Sequence, residues 1–294
     1  GVETEYRPEL WEQIQARFKR FGRQPTENNR RQAYVPQGAT AIENSVGTAS
    51  IFIVESANRV VISLPGVPRE MEYLLQNSIL PYLQQHYQIQ GIIKARVLHT
   101  AGAGESQIDA LVGDLEELGN PTVGLAAHSG QVDVRITAKA DSSEAADELI
   151  KPVEKTICDR LGNWVYGADQ ETLEGIALKA LERNGWTLTV IELGLGGELI
   201  RRLAASPGPF LGGQVLTTLP TPSELLSQTE DYRMTHNADV GLGVAIHPAG
   251  EKQDVYFALI SPDSTQQFMR PYGGPPEYAP TWALNHGLDV IRKL

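Results

Sequence analysis

The stretch from Trp186 to Leu203, W-T-L-T-V-I-E-L-G-L-G-G-E-L-I-R-R-L, limits the fold of this chain more than any other. Thr187 to Ile191 is a short β-branched run, the pattern of a strand buried on both faces. Glu198 to Leu203 carries apolar residues at 199, 200 and 203, the spacing of one helix face. Gly194, Gly196 and Gly197 between them predict a tight strand-to-helix turn, where a backbone can approach a ligand closely. In α/β domains, sites form at such carboxyl ends of strands. The side chains offered there are apolar, Leu193 and Leu195, and the ionisable groups beside them are Glu192 and Glu198.

A chain of 294 residues has room for two or three domains, each with its own core. No apolar run reaches bilayer length and no signal peptide opens the chain, so no membrane partner is expected. A single cysteine, Cys158, rules out an internal disulfide framework and fits a reducing cytoplasm. It falls in a helical pattern, as a packed thiol rather than a reactive one. The net charge of −11 argues against a nucleic-acid partner. Residues 97 to 170 are especially acidic, with thirteen acids against five bases. The chain begins Gly-Val rather than Met, which suggests that residues precede it.

In order along the chain, Pro8 to Gly22 reads as a helix with Leu10, Trp11, Ile14, Phe18 and Phe21 on one face. A small-residue loop, Asn44 to Ser50, leads into strands Ile51 to Val54 and Arg59 to Leu64, joined across Ser56-Ala-Asn58. The second strand ends in L-P-G-V-P-R-E-M (Leu64 to Met71), and an amphipathic helix runs on to about Gln85. Two prolines and a bare backbone at Gly66 suit a ligand-facing turn; a structural connector in which Pro68 starts the helix is an equal alternative.

Residues 91 to 168 have a separate rhythm. Ala95 to Thr100 is a strand, Glu105 to Leu118 a helix, and Thr122 to Ala127 and Val132 to Ala138 are strands joined at His128-Ser-Gly130. A helix capped by Asp141 or Ser142 runs to Leu161, with a possible kink at Pro152, and Trp164 to Tyr166 closes the set. The order βαββαβ predicts a ferredoxin-like module, with nothing catalytic in it. From Asp169, helix and strand alternate again: helix Gln170 to Arg183, strands Phe210 to Leu216, Ala238 to Ile246 and Val255 to Ile260, and helix Trp282 to Leu294. This is the pattern of an α/β domain. Pro262 to Pro280, rich in Pro and Gly, reads as surface loop.

Searches for a metal site or a catalytic triad find little. The histidines at 86, 99, 128, 236, 247 and 286 are scattered without ligand spacing, and each reads as a surface or hydrogen-bonded residue. There is no nucleophile elbow, P-loop or dinucleotide fingerprint. No lysine occurs between Lys179 and Lys252 to activate a serine.

Taken together, E-N-N-R-R-Q-A (Glu27 to Ala33), N-S-V-G-T-A, L-P-G-V-P-R-E-M, G-E-S-Q-I, N-P-T-V-G-L-A-A-H (Asn120 to His128) and V-Y-G resemble, in this order, the CinA family of competence/damage-inducible proteins. The resemblance is strong over about residues 5 to 190 and weak beyond. It implies an α/β (α+β multidomain) chain in three parts. Residues 1–90 would be the C-terminal half of a molybdopterin-binding-like (MoaB/MoeA-like) domain, 91–168 the ferredoxin-like middle domain, and 169–294 a C-terminal α/β domain similar to the family's amidohydrolase. It further implies a cytoplasmic homodimer of pyridine-nucleotide metabolism. The activities implied are ADP-ribose pyrophosphatase in the first domain and nicotinamide mononucleotide deamidase in the last.

The sequence departs from the family pattern at both ends. The T-G-G-L-G-P-T-x-D-D loop, which the resemblance implies holds phosphate and a divalent metal, is absent, so no cofactor or metal is expected in this chain. What remains of a nucleotide site, for a ligand of the ADP-ribose or nicotinamide mononucleotide class, would be Asn44, Gly47, Thr48, Pro65, Gly66, Pro68 and Glu70. In the last domain the family's A-E-S-C-T-G-G is here I-E-L-G-L-G-G, Ile191 to Gly197. Leu193 stands at the nucleophile serine and Leu195 at the threonine. The family's lysine-bearing A-Y-S-N-x-x-K falls near Leu216 to Pro222 without its lysine. Glu192, Leu193, Gly194, Leu195, Gly196 and Gly197 thus form a degenerate deamidase site with no catalytic residue. The expectation is that Leu193, Leu195, Leu216 and Leu219 fill it by packing together.

Overall fold

The computed structural model describes residues 1–57, 59–87, 91–249 and 252–294, in two compact units, Gly1–Gln90 and Gly91–Leu294. Among the described residues no helix is long and apolar enough to cross a membrane.

In the first unit, strand β1 (Thr4–Tyr6) pairs antiparallel with β2 (Tyr34–Pro36), and helix α1 (Pro8–Arg20) lies between them in sequence. Pro8 starts α1 where a missing N–H costs nothing. Its buried residues are Leu10 and Ile14, whereas Phe21, expected on the same face, lies beyond the helix end and is 68% exposed. Glu27 to Ala33, too short to read by periodicity, forms one helical turn (α2, Glu27–Arg30) and a 3-10 turn, with the Thr26 N–H and hydroxyl both donating to Asn29 Oδ1, at 2.9 and 3.0 Å. Strands β3 (Thr40–Ile42), β4 (Ile51–Ser56) and β5 (Arg59–Ser63) form an antiparallel meander. Asn58, placed in the β4–β5 turn by sequence, lies outside the described residues. Helices α3 (Pro68–Leu74) and α4 (Leu80–Tyr87) are joined by a π-helical turn at Leu75–Ile79. Leu74 and Ile79 pack on Ile51 and Ile53 in a small core.

The second unit opens with a βαββαβ module. Its strands β6 (Ile92–Ala101), β7 (Thr122–His128), β8 (Gln131–Ala140) and β9 (Val165–Ala168) take the order β7-β8-β6-β9, all antiparallel. This is the ferredoxin-like order expected from sequence. Strand β8 alternates as read, with Val132, Val134, Ile136 and Ala138 buried against α5 (Glu105–Val112) and α6 (Ser143–Leu161). The helix expected to reach Leu118 stops at Val112, whose φ of −127° leaves the helical region, and a 3-10 turn follows. Ser142 caps α6 by accepting the Ala145 N–H at 3.2 Å. The helix runs through Pro152, and Cys158 packs half-buried against the module core.

The rest of the unit is a five-stranded mixed sheet. After α7 (Leu173–Asn184), ended by Gly185 in the left-handed region at φ 69°, come β10 (Leu188–Leu193) and α8 (Glu198–Ala205). Next are β11 (Phe210–Val215), α9 (Pro222–Thr235), β12 (Val240–Ala249), β13 (Lys252–Ile260), β14 (Thr265–Tyr272) and α10 (Ala279–Ile291). The sheet order is β11-β10-β12-β13-β14; β10 runs parallel to both neighbours, and β13 and β14 add as antiparallel hairpins. Helices α7, α8 and α10 cover one face in the largest core, and α9 covers the other.

Two readings of this region need correction. Pro262 to Pro280 is not all loop, because T-Q-Q-F-M-R-P-Y forms β14. It is an edge strand whose inward groups are Phe268 and Tyr272, so its polar composition hides it, and an edge tolerates Pro271. Helix α9 was not assigned at all, although Thr221 and Glu224 form a full capping box at its start. Its hydrophobic stripe is weak because it packs on bare strand backbone: a Cβ on Gly243 would lie 2.2 Å from Thr229 Oγ1.

The module and the sheet domain meet in a seam. Asn285 Nδ2 of α10 donates to the Ser129 carbonyl at 2.7 Å, and Arg292 donates to the Asn163 carbonyl at 2.6 Å. Gly130, at φ 79°, lies so close under α10 that a Cβ there would be 3.3 Å from Asn285 Cβ. Asp289 is held by Arg292 and Lys293, each at 2.6 Å, with its side chain only 6% exposed.

Candidate functional site

The turn after β10 has the expected backbone. Gly194, Gly196 and Gly197 take φ values of 82°, 68° and 84°, which suit glycine alone among the residues without strain. Its side chains do something the sequence did not reveal. Glu192 is fully buried, and its carboxylate accepts the Gly197 N–H with one oxygen and the Ile200 N–H, at 3.2 Å, with the other. It occupies the N-terminus of α8, the place where a bound anion would otherwise sit. Burial pushes its pKa up, with the backbone N–H groups of Ile200, Gly197 and Leu199 pulling the other way. Glu198 instead faces solvent and pairs with Arg201 at 2.6 Å, a hydrogen bond that holds its pKa down.

The four leucines do not pack together. Leu195 is 4% exposed and belongs to the main core beneath α7, α8 and α10. Leu193 and Leu216 are half-buried on the opposite side, with Tyr256, around Ile191, Ala245 and Ala258. Leu219 is 56% exposed. The cause is strand alternation carried into the turn: residues two apart would share a face only if the chain stayed extended, and Gly194 breaks that register. The turn is filled from two sides instead of being closed by one cluster. From Glu192 to Gly197 it supplies no hydroxyl, thiol or amine, so it offers no nucleophile for acyl transfer.

In the first unit the structure brings Asn44, Gly47 and Glu70 together. Asn44 Oδ1 accepts the Val46 N–H at 3.1 Å and the Gly47 N–H at 2.6 Å. Its Nδ2 donates to the Ala49 carbonyl at 3.0 Å and to Glu70 Oε2 at 3.4 Å. A Cβ on Gly47 would fall 1.7 Å from Glu70 Oε2, so a larger residue here would displace the Glu70 carboxylate from the knot. Beside this knot lies a cavity of 540 Å³ walled by Arg17, Ser45, Val46, Arg69, Glu70 and Tyr73. Arg17 spans the loop, donating to the Ser45 carbonyl at 3.0 Å and to the Val46 carbonyl. Thr48 lines a second cavity of 380 Å³ with Arg17, Phe18 and Arg23. Pro65 is buried, Gly66 has nothing within 4 Å of a Cβ position, and Pro68 opens α3.

Sequence reasoning treated the histidines singly and missed a pairing. His99 of β6 and His128 of β7 converge on Asp133 of β8, at 2.7 Å and 3.2 Å, and His99 also meets the Asp169 carbonyl at 3.0 Å. Burial lowers the His99 pKa, but the Asp133 and Asp169 hydrogen bonds outweigh it and the pKa stands above its ordinary value. The alternation of β8, which turns Asp133 away from the buried face, was the available signal; its pairing with both neighbours comes only with the structure. Among the described residues no group of three or more His, Cys, Asp or Glu could hold a metal ion.

Comparison with known proteins places these features in a family. Residues 95–167, the ferredoxin-like module, match the model described as "Damage-inducible protein CinA KH domain". A putative competence-damage inducible protein of Clostridium botulinum is 32% identical over 96% of this chain and 76% of its own length. A protein of the same description from Caldanaerobacter subterraneus is 32% identical over 94% of this chain and 73% of its own. A CinA-like protein of Parasynechococcus marenigrum is 36% identical over 85% of this chain, but that match spans only 60% of the relative. Among solved structures, the competence or damage-inducible protein of Enterobacter asburiae is 17% identical over 42% of this chain and 98% of its own, with a TM-score of 0.36. On the sequence relatives, the chain belongs to the CinA family of competence/damage-inducible proteins.

Proposed function

We propose that this is a CinA-family protein of pyridine-nucleotide metabolism whose C-terminal deamidase-like site is not catalytic. The observation that carries this reading is Glu192 inserted into the α8 N-terminus beside a turn whose foremost side chain is Leu193. Deamidation through an acyl intermediate needs a nucleophile and a base to activate it. Leucine cannot form the intermediate, and Glu192 has both oxygens turned inward onto backbone N–H groups. The test is release of ammonia from nicotinamide mononucleotide by purified protein. No release above background is expected; turnover that survives repurification and scales with protein concentration would overturn the reading.

A second reading places an ADP-ribose pyrophosphatase activity in a complete first domain. The arginine-bearing cavity beside Asn44, Gly47 and Glu70 favours a contribution of this loop to an anionic nucleotide site. The chain as given lacks the loop that the family resemblance associates with metal, so it is expected not to hydrolyse ADP-ribose with any divalent cation. Hydrolysis by this chain alone would show that the phosphate site lies elsewhere.

A further inference from the structure

The seam between the ferredoxin-like module and the sheet domain encloses a cleft that neither function above uses. It measures 540 Å³, inside the range of about 300–1,000 Å³ common for small-molecule sites, which favour such domain junctions. One wall is aromatic. Trp282 stacks on His286 with ring centroids 3.8 Å apart, one helical turn away on α10, and Tyr272 of β14 leans on Trp282 at 5.3 Å. Burial, aided by the nearby Arg270 and Lys293 charges, pushes the His286 pKa down, so the ring is neutral at pH 7 and the tier presents uncharged π-faces. All three rings are half-buried and line the cleft.

The other feature is a cation. Arg270 projects exposed from the end of β14, and among the described residues no carboxylate pairs with it. The nearby Asp289 is already held by Arg292 and Lys293. Arg270 stands where the cleft opens into a second cavity of 460 Å³, which shares Gly102, Arg270 and His286 with it. One carboxylate, Glu105, lies on the cleft wall, on the module side. The opposite wall is thus an aromatic platform ending in a free guanidinium. Such a platform selects a planar ring, through stacking, and an anion beyond it, through the fork of N–H donors.

We propose that this cleft binds a nucleoside monophosphate, its base against Trp282 and Tyr272 and its phosphate on Arg270. The site is separate from the Gly turn and from the Asn44 loop, so the failure of either functional reading leaves it untouched. The experiment is calorimetric titration of the full chain with adenosine 5′-monophosphate, adenosine, ribose 5-phosphate and inorganic phosphate. Adenosine 5′-monophosphate is expected to bind at least tenfold tighter than each of the others. Arg270→Gln, on an exposed side chain, should weaken the nucleotide at least tenfold and leave adenosine unchanged. Trp282→Leu, with its fold checked by thermal melting, should weaken nucleotide and nucleoside alike; if that variant fails to fold, the Arg270 result decides alone. The proposal is overturned if the nucleotide does not saturate by millimolar concentration, if Arg270→Gln binds it as tightly as the parent, or if ribose 5-phosphate binds equally well.

Discussion

Restoring the family residues at the Gly turn should damage this protein without reviving it. In the double variant Leu193→Ser, Leu195→Thr, most of the cost falls at Leu195, which is 4% exposed within the main core. Threonine there removes roughly two carbons' worth of burial, at about 0.8 kcal/mol each. It also buries a hydroxyl, which costs about 1–3 kcal/mol if unpaired. Leu193 is half-buried, so serine there should cost about 1 kcal/mol. The two side chains belong to different clusters on opposite sides of the sheet. The total is about 4–6 kcal/mol, a large part of the ~5–15 kcal/mol that holds a domain folded. Urea unfolding would measure it, and ammonia release from nicotinamide mononucleotide would be assayed on the same samples. No activity is expected, because the new serine would have no lysine to activate it and Glu192 is engaged with the α8 backbone. A double variant as stable as the parent would refute the packing argument, and one that turns over substrate would refute the idea that the site is closed.

Other perturbations test neighbouring parts of the argument. Glu192→Ala should destabilise the second unit by about 2–4 kcal/mol, since two buried N–H donors lose their acceptor. Because the folded pKa of Glu192 is raised, its stabilising contribution is greatest below the ordinary carboxylate range and declines as pH rises through the folded value. Equal unfolding midpoints for parent and variant across pH 4–7 would contradict the capping role. Gly213→Ala should cost about 1–3 kcal/mol, as its Cβ would lie 2.5 Å from Ile200 Cγ1 and 2.9 Å from the Val190 carbonyl oxygen; an unshifted denaturation curve would count against it. The raised His99 pKa makes its contribution full below pH 6.5, the ordinary value, and lost as pH climbs through the folded one. Asp133→Asn should therefore flatten the fall in stability above pH 6.5, and unchanged slopes would mean that the His99–Asp133 pair is not responsible.

How much of this was legible depended on whether the signal was local. The clean alternation of β8 was read correctly and the α6 cap was narrowed to Asp141 or Ser142, because each signal acts within a few residues. Strand β14 was missed because an edge strand buries little, and its pairing with β13 is not written in its own composition. Helix α9 was missed for a different reason: its partner face is made of glycines in β12, so it needs few apolar residues of its own. At the Gly turn, the absence of any hydroxyl, thiol or amine was visible in seven letters. The inward turn of Glu192 and the division of the leucines between two sides were not, since both follow from where β10 sits in the sheet. The convergence of His99 and His128 on Asp133 likewise needed the register of three strands.

The seam at Gly130 has a consequence for how the second unit comes into being. Ser129 and its partner Asn285 are 156 residues apart in sequence. Synthesis proceeds from the N-terminus, so the ferredoxin-like module, with its own sheet and core, can close while α10 has yet to emerge. Until then, the His128–Gly130 hairpin tip has no helix above it, and Asp289, Arg292 and Trp282 do not exist to cover that end of the module. Such a long-range closure is slow compared with forming the local hairpins. Helix α10 is therefore the piece that locks two otherwise complete sheets into a single cooperative body, and a chain cut short before Ala279 would carry a finished module with an open seam.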